Sequence, residues 1–292
     1  MDSLISVVIP TYNYANYVRD AVESVLNQSY KEFEIIVVDD GSTDDTKKVL
    51  EPLKKRIRYI YQENKGLPSA YNTGIKSSRG DYVAFLDSDD LWLPKKLELQ
   101  KKFFDENPSV GMVICNGYLF NETGIISTFF PVGMMNPLPD DLHGDLFLRN
   151  VIPGNTPLIR KQCFDRIGLH DESLTSAEDL DLWIRLTRYF TVGYVPQPLV
   201  KYRKHGNSMS MNLERMCENK IKVLRKNIAL FPDILAKKPE IKKRISDIYF
   251  ELALSKIKKL KLASSLKQMM NSIRYRPFWL TPLVYIYYTK LR

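Results

Sequence analysis

Three carboxylates fall within four residues, at Asp87, Asp89 and Asp90. Groups this close repel one another unless a cation or a set of hydrogen-bond donors offsets their charge. Hard divalent cations such as Mg2+ or Mn2+ take oxygen ligands, usually one or two carboxylates plus substrate phosphates. An acidic turn of this kind suits a clamp on a diphosphate, and it equally suits a solvated turn leading into Leu91-Trp92-Leu93-Pro94. A second cluster, Asp39-Asp40-Gly41-Ser42, is common turn chemistry; its carboxylate is also able to accept a hydrogen bond from a nucleobase N–H. A third acidic pair, Glu178-Asp179, opens an apolar segment, and Thr175-x-x-Glu178 has the form of a capping box at the positive end of a helix. The motifs of several other chemistries are absent. The chain holds no G-x-G-x-x-G, no Walker A loop, no G-x-S-x-G and no H-E-x-x-H, which removes the main support for a dinucleotide dehydrogenase, a P-loop kinase, a serine hydrolase or a zinc protease.

The elements that must position these acids are legible as alternating periods. Short β-branched or aromatic runs occur at Ile5-Ser6-Val7-Val8-Ile9, at Phe33 to Val38, at Ile57 to Tyr61 and at Tyr82 to Leu86. Between the first two, Tyr17, Ala21, Val22, Val25 and Leu26 have helical spacing. Strands recurring about every 25 residues with helices between them predict βαβ units and a mainly parallel sheet. Ligands of such sheets sit beyond the carboxyl ends of the strands. Those ends are followed here by Pro10-Thr11-Tyr12-Asn13, by Asp39-Asp40-Gly41-Ser42 and by Asp87-Ser88-Asp89-Asp90. Trp92 and Trp183 are expected in the core, and His143 and His170 as ordinary structural residues.

Taken together, these segments resemble family 2 glycosyltransferases. The resemblance runs through Ser6 to Asn13, Gln28-Ser29-Tyr30, Glu34 to Asp44, Glu63 to Asn72 and Gly80 to Asp90, in that order, and covers roughly residues 4–212. It implies a GT-A fold and an inverting hexosyl- or N-acetylhexosaminyl-transferase that uses a nucleotide-diphosphate sugar, UDP by family frequency. By the same likeness Pro10, Thr11, Tyr12, Asn13, Asp40, Lys65, Asp87 and Ser88 would border the nucleotide, with Asp87 near the ribose. Asp89 would bind Mn2+ or Mg2+. The segment Ser176 to Leu186 looks like the family's acidic pair and following helix, which makes Asp179 the base and leaves Glu178 a capping or orienting role. Displacement at an anomeric carbon needs one base opposite the leaving diphosphate. Tyr202 to Ser208 also resembles a family segment; there His205 would approach the metal or diphosphate, and Arg203 would orient or hold phosphate oxygens. The chain departs from the family at His170, where an aromatic residue is usual, and at Ala177, where glycine is common. The rival classes are a sugar-phosphate nucleotidyltransferase and a non-catalytic nucleotide-sugar binder.

The charge is unevenly spread. The 292 residues carry a net +9, but residues 213–292 hold 19 Lys and Arg against 6 Asp and Glu, a net +13, which leaves −4 for residues 1–212. An acidic-leaning body disfavours nucleic acid along its main cleft. The expected organisation is therefore an α/β domain over 1–212, with a nucleotide-binding half (1–107) and an acceptor-binding half (108–212), followed by a basic helical extension over 213–292. That extension, which ends in an aromatic run between Pro277 and Tyr288, is expected to rest on an anionic membrane surface. Nothing resembles a signal peptide and no run reaches the roughly 20 apolar residues of a spanning helix. The three cysteines read as core thiols. The resulting expectation is a cytoplasmic enzyme at the inner face of the plasma membrane, with a glycan or lipid-linked acceptor and an oligomeric state left open.

Overall fold

The computed structural model describes residues 3–131, 133–206, 212–259 and 262–275. The aromatic run at 277–288 and the end of the Tyr202 to Ser208 segment lie outside them. The chain divides into two compact units, residues 1–142 with 151–208, and residues 143–150 with 209–292. Residues 143–150 thus group with the basic helices rather than with the rest of the expected acceptor-binding half.

In the first unit, β1 (Ile5–Thr11), α1 (Val18–Leu26), β2 (Phe33–Asp39), α2 (Thr46–Leu50), β3 (Arg58–Tyr61), α3 (Leu67–Ser77) and β4 (Tyr82–Phe85) follow one another as the periods predict. They continue into β5 (Leu91–Trp92), α4 (Lys96–Glu106), β6 (Val110–Asn121) and β7 (Gly124–Thr128). After α5 (Leu142–Leu146) come β8 (Leu158–Arg160), α6 (Cys163–Ile167), α7 (Glu178–Thr187) and β9 (Thr191–Arg203). The sheet runs β3-β2-β1-β4-β8-β6-β9-β5, with β7 paired to β6. Strands β1 to β4, β6 and β9 run one way, and β5, β7 and β8 run against them.

Strand β1 is buried at every position, the signature of a parallel strand covered on both faces. Its Val7 and Ile9 pack with Val18, Ala21, Val22 and Val25 of α1 in the main core cluster. On the other face α3 comes so close that a Cβ on Gly74 would stand 2.2 Å from Val8 Cγ1; only glycine fits there. Trp92 and Trp183 are buried, as expected, and the three cysteines are buried and free.

The second unit is built of α8 (Leu213–Leu230), α9 (Ile234–Lys237), α10 (Glu240–Lys258) and α11 (Leu262–Tyr275), with the 143–150 segment. Its basic charge is partly balanced internally. Lys256 reaches Glu214 at 3.0 Å and Glu218 at 2.9 Å, and Lys238 reaches Asp145 at 2.8 Å. His143 packs edge-on against Phe147 and Phe231, an ordinary structural histidine. No helix among the described residues is long and apolar enough to cross a membrane.

Candidate active site

The site forms where β1, β2 and β4 end. The turn after β1 is fixed by Asn13, whose φ of 56° lies in the left-handed region that asparagine tolerates. Asn13 Oδ1 accepts Thr43 N at 2.8 Å, and Asn13 N donates to Ser42 Oγ at 2.9 Å. Pro10 and Thr11 are buried at the end of the strand, and Tyr12 projects outward with 45 % of its surface exposed.

Asp40 is buried and bound to three donors. Its Oδ1 accepts Gln62 Nε2 at 2.7 Å and Lys65 N at 3.0 Å, and its Oδ2 accepts Gly66 N at 2.8 Å. A carboxylate offers about four lone-pair positions, so most of Asp40 is spent shaping the 62–66 loop that opens α3. Lys65 lends that loop its backbone N–H, while the residue itself is exposed.

The Asp87 to Asp90 turn is held from several sides. Tyr71 donates its hydroxyl to Asp87 Oδ1. Burial pushes the Asp87 carboxyl up to about 7, the charges of Asp89 and Asp179 add to this, and the Tyr71 bond opposes it. Tyr14 is likewise raised to about 12 by burial and by Asp89 and Asp87. Ser88 is buried within the turn. Asp90, also buried, accepts Arg203 N at 2.8 Å on one oxygen and Asn155 Nδ2 at 2.5 Å on the other. Arg203 in turn donates from Nε to the Asp89 carbonyl at 2.8 Å, with its guanidinium over the rings of Tyr17 and Phe120 at 4.8 and 4.5 Å. Arg203 thus bonds two residues of the acidic turn, Asp89 and Asp90. Two residues on, His205 Nε2 lies 2.9 Å from Asp89 Oδ2, flanked by Tyr14 and Tyr17.

Helix α7 brings the third acidic group. Its N-cap is Ala177, at a φ of 58°, and not Thr175; the capping box that the spacing offers is not how this helix begins. A left-handed φ costs an L-residue roughly 1–2 kcal/mol, which explains why glycine suits this position. Glu178 and Asp179 follow in the first turn, Glu178 buried and Asp179 half-buried. Asp179 borders the 153–156 turn: a Cβ on Gly154 would lie 3.8 Å from its Oδ2. The preceding loop is tied to α3 by Asn72, which accepts His170 N at 2.9 Å and donates to His170 O at 3.0 Å. His170 stacks on Tyr71 at 5.0 Å and meets Phe85 edge-on. Its ring completes this aromatic cluster, and burial and the nearby Arg185 lower it to about 3.

Among the described residues no group of three or more His, Cys, Asp or Glu forms a metal cage by itself. The Asp89–His205 pair nevertheless fits a divalent ion completed by a diphosphate. Such ions commonly take one or two protein ligands plus phosphate oxygens, and the oxygen donors of a carboxylate and a diphosphate suit Mg2+ or Mn2+. Burial raises the Asp87 carboxyl and the charges of Asp89 and Asp179 raise it further, and a cation placed here would offset that charge. The positions of Tyr14, Tyr17, Tyr71 and Asn155 in this site were not singled out by the sequence; only the Glu63 to Asn72 segment carried a signal for one of them.

A solved structure of TarS from S. aureus in complex with UDP-GlcNAc superposes with a TM-score of 0.62 at 20 % identity, over 92 % of this chain and 89 % of that one. A mannosyltransferase from Pyrobaculum calidifontis in complex with GDP-Man and Mn2+ gives 0.61 at 18 % identity, over 95 % and 82 %. At such identities the likeness establishes the fold, which is of the GT-A type. A glycosyltransferase of Rickettsia typhi is 39 % identical over 204 residues, 69 % of this chain but 64 % of the relative's own length. TuaG of Bacillus subtilis, named for teichuronic acid biosynthesis, is 36 % identical over 215 residues, 72 % of this chain and 82 % of the relative. The family model described as glycosyl transferase family 2 matches residues 6–152. With the acidic turn, the strand-end loops and the acidic pair of α7 in place, the chain belongs to glycosyl transferase family 2.

Proposed function

We propose that this chain transfers a sugar, with inversion, from a nucleotide-diphosphate donor to a hydroxyl of a glycan or lipid-linked acceptor in cell-surface glycan synthesis. The observation that carries the reading is the convergence of Asp87, Asp89, His205 and Asp179 beyond the carboxyl ends of the parallel strands. The donor we assign is a UDP-sugar, a hexose or N-acetylhexosamine, on the strength of the fold shared with TarS, which was solved with UDP-GlcNAc. The name of TuaG, for teichuronic acid biosynthesis, supports an acceptor in cell-surface glycan synthesis.

In this reading the loops of Pro10 to Asn13 and 62–66, the latter shaped by Asp40, border the base. Asp87 accepts from the ribose, oriented by Tyr71, and Ser88 supports the turn. Asp89 and His205 would hold Mn2+ or Mg2+, which supplies positive charge for the departing diphosphate. Asp179 takes the acceptor hydroxyl proton as that oxygen bonds to the anomeric carbon and the carbon–phosphate-oxygen bond breaks. Glu178 and Arg203 keep the two acidic elements in register. The basic residues of 213–292 meet the anionic inner face of the membrane, where a lipid-linked acceptor would be found. Calorimetry of UDP binding with Mn2+ tests the site: Asp89→Ala is expected to abolish metal-dependent binding, and equal affinity in the variant would contradict the assignment.

A further inference from the structure

Helix α11 packs on α10 largely through small polar side chains. It lies antiparallel to α10 and turns serines toward it: Ser265 Oγ donates to Ala253 O at 3.0 Å, Ser246 Oγ to Ser272 O at 3.0 Å, and Ser272 Oγ to Ser246 O at 2.9 Å. Ser265 and Ser272 are 2 % and 3 % exposed. Tyr275 stacks on Tyr249 of α10 at 5.9 Å, but three other large apolar residues point the other way. Leu266 is 62 % exposed, Met270 71 % and Ile273 37 %; their spacing of four and three residues places them on one stripe. Small polar residues inside and large apolar residues outside reverse the usual arrangement of a helix in water, and a stripe of this kind marks a surface that something covers.

The charge beside it indicates what. Lys267 and Arg274, on the same helix, are exposed next to the stripe, and Lys258 is exposed at the end of α10 where the hairpin turns. At 100° per residue Lys267 and Arg274 flank Leu266, Met270 and Ile273 on one side. An apolar stripe edged by basic side chains is the pattern of a helix lying in the headgroup layer of an anionic bilayer. We infer that the outer face of α11, formed by Leu266, Met270 and Ile273 with Lys267 and Arg274, inserts into an anionic lipid surface. The inference rests on the reading that residues 213–292 meet the membrane, and it narrows that reading from a diffuse basic charge to one helical face.

The test uses the full chain and vesicles of phosphatidylcholine with and without phosphatidylglycerol. The compared variant carries Leu266→Gln, Met270→Gln and Ile273→Gln together; these side chains are exposed, so the fold is expected to persist. The wild type should co-sediment with anionic vesicles and not with pure phosphatidylcholine. The variant should bind at least 10-fold more weakly, with its melting temperature and its mass by light scattering unchanged. A variant that binds as well as the wild type overturns the assignment to α11 while leaving a membrane contact elsewhere in 213–292. A wild type that ignores anionic vesicles overturns both. A variant that loses thermal stability or changes its oligomeric mass also overturns the inference, because the stripe is then covered by the chain itself or by a second copy.

Discussion

Replacing His170 by phenylalanine should remove a measurable part of the protein's acid sensitivity. His170 is buried, stacked on Tyr71, and lowered to about 3 from the usual 6.5 by burial and by Arg185. The charged groups facing it are Arg185 and Asp181 of α7, which are already paired with each other at 2.7 Å, while Glu178 reaches it through its backbone alone. Below pH 6.5 the unfolded chain takes a proton at this histidine and the folded chain does not. The unfolded state then binds more protons, so stability is lost as the pH falls through the window from 6.5 to about 3. Each pH unit in that window is worth about 1.4 kcal/mol, so at about pH 5 the loss reaches about 2 kcal/mol. Phenylalanine keeps the ring stack and cannot titrate. Urea unfolding of both proteins at about pH 7.5 and pH 5 reads the difference: the wild type should lose about 2 kcal/mol more than His170→Phe. Equal losses would refute a neutral buried ring at this position.

Two further substitutions test the joints around the acidic turn. Asp90→Asn leaves an amide facing two donors, Arg203 N and Asn155 Nδ2, of which it can satisfy one. The orphaned donor costs about 1–3 kcal/mol, and Mn2+-dependent UDP affinity should fall about 10-fold as His205 loses its register with Asp89; unchanged affinity by calorimetry would detach Asp90 from the site. Lys96 is buried over the Trp92 ring at 4.0 Å, donates to Gln100 at 2.8 Å and is lowered to about 8 from 10.5 by burial. Between those values the folded lysine is neutral while the unfolded one is charged, so stability should rise with pH by about 3 kcal/mol in the wild type. In Lys96→Met that rise should vanish, and denaturant titrations giving the same rise with pH for both would refute the lowered titration of Lys96.

The parallel half of the sheet was legible because its strands are nearly continuous apolar runs and because its ligand-facing ends carry the acidic turns. The pairing of Asp90 with Arg203 was not, since those residues stand 113 positions apart and only the folded sheet joins them. The start of α7 misled for a local reason: Thr175 and Glu178 have the spacing of a capping box, but the backbone turns left-handed at Ala177 and begins the helix there. Asp40 was legible as a carboxylate at a strand end, yet its three loop donors come from residues 62, 65 and 66. The basicity of the last 80 residues was plain, whereas the outward stripe of α11 required knowing that its serines face α10.

Release of nucleoside diphosphate from a panel of nucleotide sugars with Mn2+, compared between the wild type and Asp179→Asn, decides whether this site transfers a sugar with Asp179 as its base. The wild type should turn over a UDP-sugar, and the variant should be slower by about 10²–10⁴-fold, with UDP binding and melting temperature retained. Full turnover per folded molecule in Asp179→Asn, or release of pyrophosphate from a sugar phosphate and a nucleoside triphosphate instead, would contradict it.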